Sequence, residues 1–451
     1  MNLNTKETQY YCGVACLGFF SIIATCNWFS FGLYNQYFTP LLLLSLLALT
    51  VIITRTRGAL VMPENAVILI AGIFFIIAGM FPAIIYVHRD ELLSIRAYKT
   101  LVYILLFCGL ITLLLLIFDK NKRTRVFFIV AASVMLAHWL VLRASPLPAI
   151  DVFINSSIAA DTLLSCANPY SAQYPDLYHG AYGYYPAAFG YWPFYLLSTL
   201  IPRILGDIRL LTIFCIGTTV ICTYRIALKN GSITNARSVL ILFLSLPSSI
   251  FITEQGWIDP LLLGLLSILA LCLYSGKWFF SSVVLGLIIS TKQYGFIMLL
   301  PTYIVWYKSI GLKKSLLFSF VSLLTVSAII LPFVIVNPSA FYESTIQIFL
   351  RVSARNDSSS IPAFLHHSYQ CSMPSLMLPL IYILILLVMG AWQFRSPNTL
   401  SAWLATIGLT YAWIFAFGKQ AFANYHHFSI SILLLSFAFH ECKIPSYKAI
   451  K

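Results

Sequence analysis

The chain predicts an all-α polytopic membrane protein, and three observations carry that expectation. Its 451 residues are 60% hydrophobic and only 9% charged, whereas soluble domains carry roughly a quarter charged residues. Its apolar stretches run about 16–22 residues, long enough to cross a bilayer as helices. Segments of about ten residues alternating apolar and polar, the mark of an outer-membrane barrel, are absent. A soluble globular domain and a β-barrel are both excluded.

Hydropathy places roughly 14 spanning helices along the chain. They lie near 10–32, 37–54, 65–87, 100–118, 126–143, 208–226, 238–253, 258–275, 278–290, 294–308, 315–336, 374–392, 399–417 and 424–440. The first is long and has no small-residue cleavage site, so it reads as a retained anchor. Segments 278–290 and 294–308 are short and adjoining, which predicts tilted or broken helices. The stretch 186–202 is rich in Tyr and Trp and carries Pro186, Pro193 and Pro202. It reads as an interfacial helix on the outer leaflet, where aromatic rings favour the headgroup level.

Charge sets the orientation. With the N-terminus inside, the inside segments hold 18 of the 28 lysines and arginines against four acids, and the whole formal excess of +14 falls there. The outside segments balance. This is the positive-inside asymmetry, with anionic headgroups as the ordinary partners of these loops and no nucleic acid implied. Both termini are therefore expected in the cytoplasm, as in a bacterial inner-membrane protein, with the active site outside. A span at 186–202 would move Lys313, Lys314 and Arg395 outside and destroy the asymmetry.

Two parts follow. Residues 1–120 form accessory helices with few polar side chains and no evident chemistry. Residues 121–451 form a core with two long outer loops, 144–207 and 337–373. Ionisable groups gathered at one membrane face mark a site by default, and the outer loops hold them. Asp151 sits among apolar neighbours just after a span. It suits a general base toward a hydroxyl, or a cap for the helix that follows. Asn168-Pro169-Tyr170 is a turn, followed by the aromatic run Gly183-Tyr184-Tyr185-Pro186, which suits a sugar ring or a lipid chain. Glu254-Gln255-Gly256-Trp257-Ile258-Asp259-Pro260 is a tight turn whose acids and amide cost too much desolvation to be filler, although capping explains Asp259 locally. Lys292 and Gln293 join two apolar runs, where a lysine must snorkel or meet an anion. Arg351 and Arg355, four apart, would grip a phosphate from one helical face, with Asp357 beside them.

His366-His367 and His426-His427 are weak metal signatures, because adjacent residues of a helix face different ways; no metal and no cofactor is expected. Cys166 and Cys371 share the outer side, which leaves a disulfide between them open.

Taken in order, these residues resemble the GT-C membrane glycosyltransferases, and most of all the polyprenyl-phosphate-mannose-dependent mannosyltransferases of glycosyltransferase family 87. The likeness runs over roughly 125–440 and rests on Asp151, Asn168 to Tyr170, Tyr184 to Pro186, Gly206 to Arg209, Gln255, Lys292-Gln293, Pro332-Phe333 before Asn337-Pro338, and Lys419-Gln420-Ala421-Phe422 with Asn424-Tyr425. Here Pro186 is followed by Ala187-Ala188 in place of the family's frequent Pro-Leu.

The resemblance implies a GT-C-like fold and an inverting hexosyl transfer, of mannose above all, outside the membrane, in the service of cell-envelope glycan biosynthesis. The donor would be a polyprenyl-phosphate sugar and the acceptor a hydroxyl of a glycolipid or glycan. Asp151 would be the base. Lys292 with Arg351 or Arg355 would hold the leaving phosphate, and Asn168, Tyr170, Tyr184, Tyr185, Gln255, Gln293, Asp357 and Asn424 would line the sugar site. A polymerase or ligase using a lipid-diphosphate donor, and a lipid or solute transporter, are the competing readings.

Overall fold

The structure is a computed structural model, and it describes residues 5–58, 60, 62–117, 120–181, 188–374, 376–439 and 442–446. Among the described residues every regular element is helical, and the β-type contacts are two isolated bridges, Leu33–Ser358 and Thr399–Lys443. In chain order come α1 (Thr5–Ser30), α2 (Phe38–Thr56), α3 (Glu64–Met80), α4 (Leu92–Leu114), α5 (Lys120–Ala144), α6 (Asp151–Leu164), α7 (Pro193–Ile204) and α8 (Leu210–Asn230). They continue as α9 (Ile233–Leu244), α10 (Ser248–Gln255), α11 (Asp259–Tyr274), α12 (Trp278–Ile289), α13 (Leu299–Ile310) and α14 (Leu312–Val336). After the short helices α15 (Pro338–Tyr342), α16 (Ile348–Arg351) and α17 (Ile361–Tyr369), the chain closes with α18 (Met377–Arg395), α19 (Leu400–Ala416) and α20 (Ala423–Ala438).

The hydropathy segments land on helical stretches, with shifts that have local causes, and 238–253, expected as one span, is divided by a bend into α9 and α10. Helix α3 stops at Met80 and not near 87, because Pro82 disfavours a helical residue before it. Among the described residues, seven helices are long and apolar enough to cross a membrane singly, namely α1, α2, α4, α5, α8, α14 and α18. The pair α9–α10 makes an eighth if it counts as one bent span. Helices α11 and α12 have 16 and 12 residues. At 1.5 Å per residue they reach only about 24 and 18 Å, less than a hydrocarbon core of about 30 Å. Length thus makes this a polytopic membrane protein without fixing fourteen crossings.

The centre of the bundle is helical on all sides. Nearly every residue of α19 and α20 is buried, the condition under which a helix is apolar all round. At the periphery, α14 exposes Leu316, Leu317, Phe320, Leu323 and Leu324, a face suited to acyl chains. One hydrophobic core runs from Cys16 to Ile444, with α3 packed on α9 and α1 on α20. The N-terminal helices and the rest are therefore one packed body.

Polar contacts between connections join segments expected on the same side. Arg123 pairs with Glu64 at 2.6 Å, and Lys308 donates to the carbonyls of Gln393 and Ser396. At the other end, the His88 amide donates to Ala144 and the Ser94 hydroxyl to Arg143.

Two breaks shape the interior. Between α9 and α10 the chain bends by 59° at Ser245-Leu246-Pro247, where the proline can neither donate to the helix nor fit within it. Between α12 and α13, Thr291 and Lys292 leave the helix and residues Gln293–Met298 form a tight turn. Gly295 permits it: a Cβ there would lie 2.6 Å from the Ile288 carbonyl oxygen. Helix α7 begins at Pro193, where a missing amide costs nothing, and exposes Leu197, Ile201 and Ile204 while burying Tyr195, Leu196 and Thr199.

Candidate active site

A cavity of about 320 Å³ lies where the non-basic ends of these helices meet. Five of the expected base, phosphate-site and sugar-site residues line it: Asp151, Gln255, Lys292, Arg355 and Asn424.

Asp151 is the first residue of α6, so its carboxylate sits at the positive end of the helix. Its Oδ1 accepts from the Val152 amide at 2.8 Å and the Tyr178 hydroxyl at 3.0 Å. Burial and the neighbouring Asp151 charge push the Tyr178 phenol well above its ordinary range, so it stays a proton donor to the carboxylate. The helix is held from two sides. Arg203 of α7 grips Asp161 with two bonds of 2.7 Å. Arg209, fully buried, lies 4.7 Å over the Phe153 ring. Its guanidinium pairs with Asp207 at 2.6 Å and donates to the carbonyls of Ser145 at 2.8 Å and Glu254 at 3.3 Å. One arginine thus ties the end of α5, the Asp151 helix and the α10 turn together.

Lys292 is 6% exposed. Its ammonium lies 3.9 Å from Asp259 Oδ1 and over the rings of Tyr294 at 4.6 Å and Tyr425 at 4.9 Å. Burial pulls its pKa down, and Asp259 opposes that only in part. Asp259 also accepts from Asn424 at 2.8 Å and from the Tyr294 hydroxyl. Local reading made Asp259 a helix cap, but the cap position is Ile258 and the carboxylate turns inward. Sequence reasoning therefore missed it as a site residue. The signal was present, since an acid in a tight turn between apolar runs needs a buried partner.

Arg355 is clamped bidentately by Asp357 at 2.7 and 2.6 Å and lies 5.0 Å over Phe422. It does not share a helical face with Arg351. Helix α16 ends at Arg351, Val352 turns extended, and the Arg355 amide bonds the Lys419 carbonyl at 2.7 Å. Lys419 in turn caps that helix end through the carbonyls of Leu350 and Val352. Arg351 is exposed and is not among the cavity residues.

Other expected sugar-site residues do structural work outside the cavity wall. Asn168 caps the turn through the Tyr170 amide at 3.0 Å. Tyr170 is buried among Phe189, Phe333 and Phe341, with its hydroxyl on the Tyr191 carbonyl at 2.9 Å. Gln293 staples the Gly190 and Thr345 carbonyls at 2.8 and 2.7 Å. Tyr184 and Tyr185 lie outside the described residues. Asp357 serves Arg355, and its carbonyl accepts from the Tyr34 amide at 2.7 Å.

Among the described residues no cluster of His, Cys, Asp and Glu has the makings of a metal site. His426 meets the Ser359 carbonyl and His427 the Ser248 hydroxyl. Cys166 and Cys371 are both exposed and unbonded. Asn155, which begins an Asn-Ser-Ser glycosylation pattern, is buried in α6 and donates to the Ala188 carbonyl.

The residues without evident chemistry at the N-terminus also reach the cavity. Phe31 and Leu33, after α1, and Ile85 and Tyr86, after α3, form part of its wall.

A polytopic helical bundle with a carboxylate and two cations around one cavity has the makings of a membrane-embedded transferase. The chain belongs to glycosyltransferase family 87, whose family model matches residues 189–416. It is a glycosyltransferase of the GT-C superfamily and an integral membrane protein. No curated protein and no solved structure matches it.

Proposed function

We propose that the protein transfers a hexose, mannose above all, from a polyprenyl-phosphate donor to a hydroxyl of a glycolipid or glycan, with inversion, on the non-cytoplasmic face. The observation that carries this reading is the sharing of one cavity by Asp151, Lys292 and Arg355. The Asp151 carboxylate takes the acceptor hydroxyl proton as that oxygen bonds the anomeric carbon. The bond from carbon to the phosphate oxygen breaks, and its electron pair leaves with the polyprenyl phosphate. Lys292 and Arg355 stabilise the charge growing on that phosphate.

Both cations are held in place before any substrate arrives. Lys292 is fixed by Asp259 and two tyrosine rings, and Arg355 by Asp357 and Phe422. Cations already oriented need no reorganisation during the reaction. Holding donor and acceptor together also removes much of the entropic barrier.

Purified enzyme supplied with polyprenyl-monophosphate mannose and a glycolipid extract is expected to form product that Asp151→Asn forms about 10²–10⁴-fold more slowly. Wild-type turnover by Asp151→Asn removes the base. Activity with a diphosphate-linked donor alone replaces the proposed donor class with that of a polymerase or ligase.

A further inference from the structure

The family match begins at residue 189, yet part of the cavity wall comes from the connections after α1 and α3, far ahead of it. We propose that these N-terminal connections build the acceptor subsite: Phe31 and Tyr86, with Phe251 and Trp257, form an aromatic wall that stacks against the ring of an acceptor sugar. This rests on reading the cavity as the transfer site.

Three of the four rings run on from one another. The Phe31 ring lies 5.0 Å from Phe251, and Phe251 lies 5.1 Å from Trp257. All four aromatics line the cavity with Asp151, Gln255 and Asn424. Aromatic faces beside amides and a carboxylate match a sugar ring, which has apolar C–H faces and polar edges. A prenyl chain would set those polar groups against hydrocarbon, whereas the hydroxyls of a sugar can bond to them. A cavity of about 320 Å³ also lies at the small end of ligand sites, suiting a compact ring.

The wall is held firmly by the core. Phe31 has a φ of 53° and Gly32 one of 70°, and for a bulky residue like phenylalanine that is a conformation kept only where the surroundings enforce it. Gly32 lies so close to α20 that a Cβ would sit 1.9 Å from the Ala423 nitrogen. The Asn27 amide reaches the Ala423 carbonyl at 3.1 Å, and the Ser359 hydroxyl the Leu33 carbonyl at 2.7 Å. On the other strip of wall, both Glu254 oxygens are taken by the Ile85 and Tyr86 amides at 2.9 and 2.7 Å. Glu254 is adjacent to Gln255, so the core sets the position of Tyr86 through the same turn that lines the site.

The test uses the full chain in lipid nanodiscs and saturation-transfer NMR with methyl α-mannoside, methyl α-glucoside and methyl α-galactoside. At least one should show saturated ring protons. Phe31→Ala and Tyr86→Ala should weaken its binding at least fivefold, and Tyr86→Phe should retain it. If Phe31→Ala does not fold, Phe31→Leu and Tyr86→Ala carry the comparison. No saturation in the wild type with any of the three glycosides overturns the proposal, as does unchanged binding in both alanine variants. Asp151→Asn should still show ring saturation while losing transfer. Transfer by Asp151→Asn at the wild-type rate would remove the base and leave the wall standing.

Discussion

At the residue scale, the two acid–base pairs of Asp259 and Asp161 make opposite cases. The side chains of Lys292 and Asp259 are 8% and 1% exposed, whereas those of Arg203 and Asp161 are 32% and 51% exposed. An exposed pair is screened and contributes less than about 1 kcal/mol. Removing one partner of a buried pair strands a charge and costs about 3–5 kcal/mol. Asp259→Ala is therefore expected to lower the thermal unfolding midpoint of the detergent-purified protein clearly, and Asp161→Ala hardly at all. Equal shifts would deny that Lys292 depends on Asp259. The Asp259 carboxylate was readable as unusual in the sequence, but its partners were not. Lys292 and Asn424 lie 33 and 165 positions away in the chain, and only folding brings them together.

At the scale of elements, broken helices and their connections build the site. The bend before α10 and the tight turn before α13 let Gln255 and Lys292 end inside the protein and not at its surface. Gly32 is the corresponding device for α1. It needs a positive φ and also room against Ala423, whereas Gly231, with a φ of 72°, has nothing within 4 Å of its absent Cβ. Gly231→Ala should cost only the left-handed penalty of about 1–2 kcal/mol. Gly32→Ala should in addition push α1 off α20, so its midpoint should fall further and its transfer activity with it. A Gly32→Ala protein as stable as Gly231→Ala would mean that the close approach is absent. Two short adjoining apolar segments predict the break before α13, whereas hydropathy takes 238–253 as one span although Pro247 lies within it. The loss of a shared face for Arg351 and Arg355 was not marked, because spacing by four implies a common face only while the helix continues.

At the scale of the molecule, the basic loops and the cavity occupy opposite ends of one bundle. If the basic end is cytoplasmic, the exposed thiols of Cys166 and Cys371 face outward. Single-cysteine proteins retaining either one should react with a membrane-impermeant maleimide in intact cells. Lys277→Cys, on an exposed loop residue of the other end, should react only after permeabilisation. The reverse pattern would invert the topology and place the cavity inside.

Much of this could be read along one dimension. Helix-length apolar runs dictate a bilayer protein, since backbone amides without water must bond within their own segment. Lysine and arginine bias gives the expectation of which side faces the cytoplasm. A carboxylate and several cations left on one side announce chemistry there. What the linear order could not contain is which of those groups meet. Long-range packing leaves Arg351 outside the cavity wall, turns Asp259 from a cap into the counter-ion of Lys292, and brings Phe31 and Tyr86, in the connections after chemically silent helices, into that wall. Contacts between residues hundreds of positions apart leave no periodicity to detect, and they exist only once the helices have packed.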